Sequence, residues 1–277
     1  MSENPPDRLS ALIRHFRIEA KVTSFGAAQI TDDPGAHPAP NFYVVWRGRL
    51  NLSDHSFPPL DGGSPVLVYF PRGTPLDFKI QDEVGDAGYV CASVDTGGDA
   101  NPFAAALPDV VTLSLNDTEP LRAVTEILLD EALSPRCGGR AVIDRLCEIV
   151  VIRLLRHLIE NGTAKIGLLA GLAHPNLSRA IVAMHDRPEK TWRLENLAEM
   201  AAMSRTHFVN TFRDIVGVTP GHYLSDWRLT LARIEIAKGT AVKVTAGKVG
   251  FSSAAALSRA FTRRFGVSPR QDCARSA

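Results

Sequence analysis

Thr206, Asn210 and Arg213 are spaced by four and three residues, and 49 residues further on Ala255, Arg259 and Thr262 repeat that spacing. Such intervals place each set on one face of a helix. The chemistry open to these side chains is recognition rather than bond-breaking. An Asn amide can form two hydrogen bonds with the edge of adenine and an Arg guanidinium two with guanine, each pair worth roughly 1–3 kcal/mol of discrimination. Arg205, Arg213, Arg263, Arg264 and Arg270 suit the phosphate backbone, where contacts set position and carry no sequence information. His207 completes the first set. The expected DNA-reading surface is therefore Arg205, Thr206, His207, Asn210 and Arg213 with Ala255, Arg259, Thr262, Arg263 and Arg264. Ala254, Ala255 and Ala256 leave the second helix poor in base-reading groups, so the first is expected to supply at least half of the discrimination.

What must position these faces is a stretch of sequence that occurs twice. The run from Ala198 to Phe208, followed by Phe212 and Gly217-Val218-Thr219-Pro220, returns as Ala246 to Ser252, Leu257, Phe261 and Gly266-Val267-Ser268-Pro269. The offset is 48 residues before the turn and 49 after it, a one-residue slip where a tight turn falls. Each copy predicts a helix, a turn and a second helix, the helix-turn-helix arrangement. Ser204 is placed to cap the second helix of the first copy, with Phe208, Phe212 and Ile215 on its buried face. In the second copy Leu257, Phe261, Phe265 and the stem of Arg264 take that side. Between the copies, Leu224, Trp227, Leu231 and Ile234 predict a helix over His222–Ala237, about 24 Å long. A spacer of that size can hold two reading helices about 34 Å apart, in successive major grooves.

Charge supports a nucleic-acid partner for the same third of the chain. Residues 176–277 carry 16 Lys and Arg against 8 Asp and Glu, whereas the remaining 175 carry 15 against 22, so a total of +1 hides +8 opposed to −7. Such asymmetry is the electrostatic footprint of a DNA-binding domain. The polar start Met1-Ser2-Glu3-Asn4-Pro5-Pro6-Asp7 lacks the basic and apolar stretches of a signal peptide. No window predicts a membrane span, the richest, from Glu148 to Leu158, being short and carrying Arg153, Arg156 and His157. Cys91, Cys137, Cys147 and Cys273 are scattered, without the pairing of a zinc site or disulfide framework, which places the chain in a reducing cytoplasm.

Upstream, Asp7 to Phe16 predicts a short helix. From Lys21 to about Asp95 the texture is of short strands: Phe42 to Trp46, a turn at Arg47-Gly48-Arg49, Leu50 to Leu52, Val66 to Phe70 and Gly88 to Val94. Many short strands with turns between them predict a sandwich or small barrel. Pro120 opens a helical region in which Ile143, Leu146, Cys147, Val150, Val151, Leu154, Leu155, Leu158 and Ile159 form a broad apolar stripe. That stripe either packs against the β domain or serves a homodimer interface. The chain is thus expected to be multidomain α+β, with a β-rich sensor over 1–119, a helical dimerisation or linker region over 120–175 and an all-α DNA-binding domain over 176–277. The interdomain boundary is placed around Gly171 to Pro175.

Leu197-Ala198 with Ser204, Phe208, Phe212 and Gly217, Tyr223-Leu224, Trp227-Arg228, Val249-Gly250-Phe251, Leu257-Ser258-Arg259-Ala260-Phe261 and Arg264 to Pro269 resemble the AraC/XylS family of bacterial transcription regulators. The resemblance implies an operator-binding activator or repressor that engages RNA polymerase. Two departures stand out. Ala202 occupies the place of a glycine in the first turn, and Asp272 stands near that of an aromatic, which implies looser packing of the chain end. More loosely, Asp7-Arg8-Leu9-Ser10, Tyr43-Val44-Val45, Pro71-Arg72-Gly73, Cys91 and Asn101-Pro102 with Ala106-Leu107-Pro108 resemble a cupin-type sensor domain of that family. Metal-binding cupins carry His where this chain has Tyr43 and Leu76, and His37 and His55 fall in Pro-rich loops, so no metal or other cofactor is expected. Tyr43, Trp46, Tyr69 and Cys91 are the candidate lining of a pocket for a small effector. Cys91 either packs as a small hydrophobe or, if exposed with a lowered pKa, reacts with an oxidant. The alternatives are a cupin-fold enzyme with an accessory DNA-binding tail and an alkyl acceptor using Cys273. Both lack a metal or nucleophile constellation.

Overall fold

The computed structural model describes residues 7–15, 18–27, 39–52, 55–56, 60–75, 79–81, 88–95, 106–134, 136–162 and 166–276. Contacts divide the chain into two compact units, one of Arg17–Asp99 with Phe103–Leu158, the other of Met1–Phe16, Ala100–Pro102 and Ile159–Ala277. Helix α1 (Ser10–His15) precedes strands β1 (Glu19–Ala27), β2 (Asn41–Leu52), β3 (His55–Ser56), β4 (Leu60–Phe70), β5 (Lys79–Gln81), β6 (Gly88–Asp95) and β7 (Val111–Ser114). Helices follow: α2 (Glu119–Leu133), α3 (Gly139–Glu160), α4 (Leu168–Ala173), α5 (Leu177–Asp186), α6 (Leu194–Met200) and α7 (Arg205–Val216). The last are α8 (Pro220–Ala237), α9 (Val242–Lys248), α10 (Ala254–Phe265) and α11 (Pro269–Ser276).

In the β-rich unit the strands run antiparallel in the order β1-β6-β2-β4-β7, with β3 and β5 also paired to β2. The long β2 serves two sets of neighbours because it bends. Both of its main pairings shift register between Val45 and Arg47, and beyond that bulge it pairs with β3 and β5. An inserted residue bends a strand without ending it. The turn expected at Arg47-Gly48-Arg49 is therefore a continuous stretch of β2, with Gly48 supplying φ +114°. Gly88 lies where a β-carbon would collide with the Trp46 indole, so the bulge also needs that glycine on β6.

Phe42, Tyr43, Val44 and Val45 are all buried, so β2 is covered on both faces. Tyr43, Val45, Leu50, Val68, Phe70 and Cys91 belong to the cluster on one face. A second bulge, at Val22/Ser24 of β1, is closed by side chains of α3. Asp144 Oδ1 accepts from the Val22 N–H at 2.9 Å, and Arg140 Nη2 donates to the Val22 carbonyl at 3.1 Å. These bonds satisfy backbone groups that a broken ladder would otherwise strand in the interior.

All nine residues of the 143–159 stripe are buried within the single chain. The stripe thus belongs to the interior, and Leu154 and Leu158 are not surface groups. Val142 and Ile149 keep an apolar edge of α3 exposed.

The helical unit begins with α1, which opens at Ser10 rather than at the expected Asp7. Asp7 caps it, its Oδ1 accepting from the N–H groups of Leu9 and Ser10, and its Oδ2 accepts from the Ser10 hydroxyl. Ala11 and Leu12 are buried, and α1 packs on α5. Gly171, placed at a domain boundary by sequence, lies inside α4. A β-carbon there would sit 2.6 Å from Ile181 Cδ1 and 2.9 Å from Val216 Cγ2. This glycine lets two helices approach, and the unit division falls instead at Leu158/Ile159.

Candidate nucleic-acid interface

Each helix-turn-helix copy is built by the same local bonds. After α6, the Met203 N–H reaches the Ala198 carbonyl at 2.9 Å, and after α9 the Phe251 N–H reaches Ala246 at 2.8 Å. This closure needs a left-handed residue, supplied by Gly250 at φ +84° and, in the first copy, by Ala202 at φ +50°. Ala202 bears a strain of about 1–2 kcal/mol that glycine would avoid. Ser204 Oγ then accepts from the His207 N–H at 3.4 Å, and Ser253 Oγ from Ala256 at 3.1 Å, capping α7 and α10. Both helices stop at a left-handed glycine, Gly217 and Gly266. Thr219-Pro220 and Ser268-Pro269 then open the next helices, which is why α8 begins two residues before the expected His222.

Phe208, Phe212 and Val216 form the buried side of α7, and Leu257, Ala260 and Phe261 that of α10. Val216, rather than the half-buried Ile215, completes the first set, since it lies one further turn along the Phe208–Phe212 line. All ten residues of the expected DNA-reading surface are exposed. Among the described residues, Thr206, Asn210, Arg213, Arg259 and Arg263 make no side-chain hydrogen bond or ion pair within the protein. Arg205 is held 3.0 Å from Glu195, and Arg264 lies 3.4 Å from Asp226. Thr262 donates its hydroxyl back to the Ser258 carbonyl at 2.9 Å, leaving only acceptor capacity facing outward.

Side-chain contacts that sequence reasoning did not foresee hold this surface in place. Tyr223 of α8 meets Phe212 edge-on at 5.6 Å and shares a 2.6 Å hydrogen bond with His185 Nε2. His185, fully buried, stacks on Trp227 with centroids 4.0 Å apart. Burial, with a smaller effect of His15, pushes its pKa down to about 3, so the ring is neutral. No spacing marks this contact, because it exists only once α5 and α8 pack. Arg233 grips Asp272 with two bonds of 2.7 and 2.9 Å. The chain end is therefore tied down by an ion pair where an aromatic was expected.

The four effector candidates of the β-rich unit do not all share one face. Tyr43 and Cys91 are register partners on one face. Tyr69, between Val68 and Phe70, points to the opposite face by strand alternation, and Trp46 occupies the bulge. Thr74 donates to Asn41 Oδ1 at 2.6 Å, so Tyr43 supplies the proton of its 3.2 Å bond to Thr74. Burial pushes the Cys91 thiol up, the opposite of what a reactive thiolate requires. Among the described residues no three His, Cys, Asp or Glu side chains converge as a metal site. His37 and Leu76 lie outside the described residues, as does the side chain of His55, whose backbone belongs to β3. Cys273 is half-buried, its thiol directed at the Ile236 carbonyl at 3.7 Å.

A helical unit with two such copies, joined in one chain to an antiparallel β-rich unit, defines a double helix-turn-helix protein with a second, β-rich domain. Residues 197–275 match the helix-turn-helix domain family and residues 7–160 the cupin family. A putative AraC-like transcription regulator of Streptomyces antibioticus is 37% identical, with 95% of each chain covered. An uncharacterized helix-turn-helix-type transcriptional regulator of Haemophilus influenzae is 32% identical over 61% of this chain and 57% of its own length. The chain thus spans little more than half of that second relative. The crystal structure of the DNA-binding domain of AdpA with a target DNA is 30% identical over 36% of this chain and 91% of that one, with a TM-score of 0.35. The chain belongs to the AraC-like transcription regulators and carries a cupin domain. Among the described residues no helix is long and apolar enough to cross a membrane.

Proposed function

We propose that this regulator binds a double-stranded DNA operator through residues 176–277, with α7 and α10 reading successive major grooves. The observation that carries this reading is the repetition of caps, glycine stops and buried apolar anchors, which leaves the same side of both helices exposed. Asn210 and Arg259 are the base readers, and Arg213 and Arg263 hold phosphates. Residues 1–119 take a small organic effector without a metal cofactor, and the signal alters how the protein recruits or blocks RNA polymerase in the cytoplasm. The chain is a regulator and not an enzyme. It acts as a homodimer through residues 120–175. The exposed edge of α3 at Val142 and Ile149 favours this interface now that the main stripe is committed to the interior. Ile149→Glu should keep the fold and shift sedimentation from dimer to monomer.

Selection of bound sites from random DNA by the full chain tests the reading. Arg259→Ala should relax one base position, whereas Arg263→Ala should weaken all sequences alike and reduce the salt slope by about one. An unchanged sequence preference for Arg259→Ala would remove α10 from base reading.

A further inference from the structure

Beside α10 lies a groove of about 800 Å³ between the end of α8, the start of α9 and α11. Its volume falls within the range of small-molecule sites. Ile236, Val242, Ala254, Ala255, Pro269 and Cys273 supply an apolar wall, and Arg270 stands among the lining residues. The repeat explains why this space exists. Under the 48- and 49-residue offsets, Thr240, Ala254, Ala255, Ser258 and Cys273 replace Trp192, Arg205, Thr206, Val209 and Leu224 of the first copy. At each of these positions the second copy has lost bulk. At one lining position it has gained a charge, Arg270 standing where the first copy has Gly221. The Arg270 side chain is exposed and makes no hydrogen bond or ion pair with another described residue.

We infer that the groove binds a small molecule with an apolar body and a single anionic head, the body against the small side chains and the head on the Arg270 guanidinium. A carboxylate matches that guanidinium with two parallel hydrogen bonds, and the lining shows no competing acid. Ala255 belongs both to this wall and to the proposed DNA face, so an occupant excludes the operator from α10. That consequence rests on the DNA-binding reading, whereas the site itself does not.

The full chain is titrated with anilinonaphthalene sulfonate, an apolar monoanion whose fluorescence rises on burial, and the dye is then displaced with decanoate or benzoate. A saturable signal is expected, displaced by one of the two acids; which one identifies an aliphatic or an aromatic ligand. Ala254→Arg, which restores the first copy's side chain, should abolish the signal. Arg270→Gln, at an exposed position that leaves folding intact, should weaken dye binding about tenfold. No saturable signal, or equal dye affinity in both variants and the parent, overturns the site. Operator retention is measured separately with and without the displacing acid. Failure to bind operator under any condition refutes the DNA reading while leaving the dye result decisive. Retention unaffected by an acid that displaces the dye refutes the shared wall.

Discussion

Where α7 presents Arg205, Thr206 and Val209, α10 presents Ala254, Ala255 and Ser258, yet Phe208 and Phe212 are answered at the same offset by Leu257 and Phe261. The two copies keep a buried apolar side chain at both anchor positions and differ far more in what they show. Anchors are confined by close packing, which punishes a change of even one methylene, whereas exposed positions tolerate substitution within about 0.5 kcal/mol. The copies also differ at the turn, in the reverse sense. Gly250 is required by its surroundings, since a β-carbon would sit 2.8 Å from the Pro188 carbonyl oxygen and 2.9 Å from the Arg228 guanidinium. Ala202 tolerates the same left-handed geometry at an exposed site. A backbone shape can thus be held by residue choice in one copy and imposed by its context in the other.

Gly250→Ala breaks this comparison most severely. Left-handed strain and overpacking together should cost about 3 kcal/mol, read as a fall in the denaturation midpoint. A loss below about 1 kcal/mol would mean that the turn relaxes easily and that its two versions are equivalent. At the recognition face, Asn210→Ala and Arg259→Ala should each cost roughly 1–3 kcal/mol on the operator. The asymmetry of the reading helices sharpens if Asn210→Ala broadens the site more, and disappears if the larger effect comes from α10.

The buried His185 stack belongs to the first copy's support and gives a pH test. Its pKa is near 3 when folded against 6.5 for a free ring, so the unfolded chain binds the extra proton. Stability is full above about pH 6.5 and declines as the pH falls toward 3. By pH 5 the loss should reach about 2 kcal/mol from this group. His185→Phe should flatten that part of the stability profile. His15, itself lowered mainly by burial, contributes a smaller slope that remains in the variant. A profile unchanged by the substitution would place the proton elsewhere. The smallest effect is Ala202→Gly, which should raise stability by about 1 kcal/mol in thermal unfolding.

The helical third was legible because its determinants are local. Serine caps, glycine stops, a threonine or serine before proline and large apolar residues four apart act within a turn or two, and the repeat displayed them twice. They determined which side chains face outward, and all ten did. Boundaries were less legible where one residue type has two uses: Gly171 permits helix packing, and Gly48 sits in a bent strand rather than a turn. The apolar stripe on α3 was visible, but periodicity measures how wide an apolar face is and not what covers it. Burial within one chain, the separation of Tyr69 from Tyr43 across the sheet, the His185–Trp227 stack and the Arg233–Asp272 clasp all depend on distant segments meeting. So does the groove beside α10, whose small side chains are plain in the sequence. Their emptiness becomes a volume only when α8, α9 and α11 close around it, because a cavity belongs to the packing of several elements and to no single one.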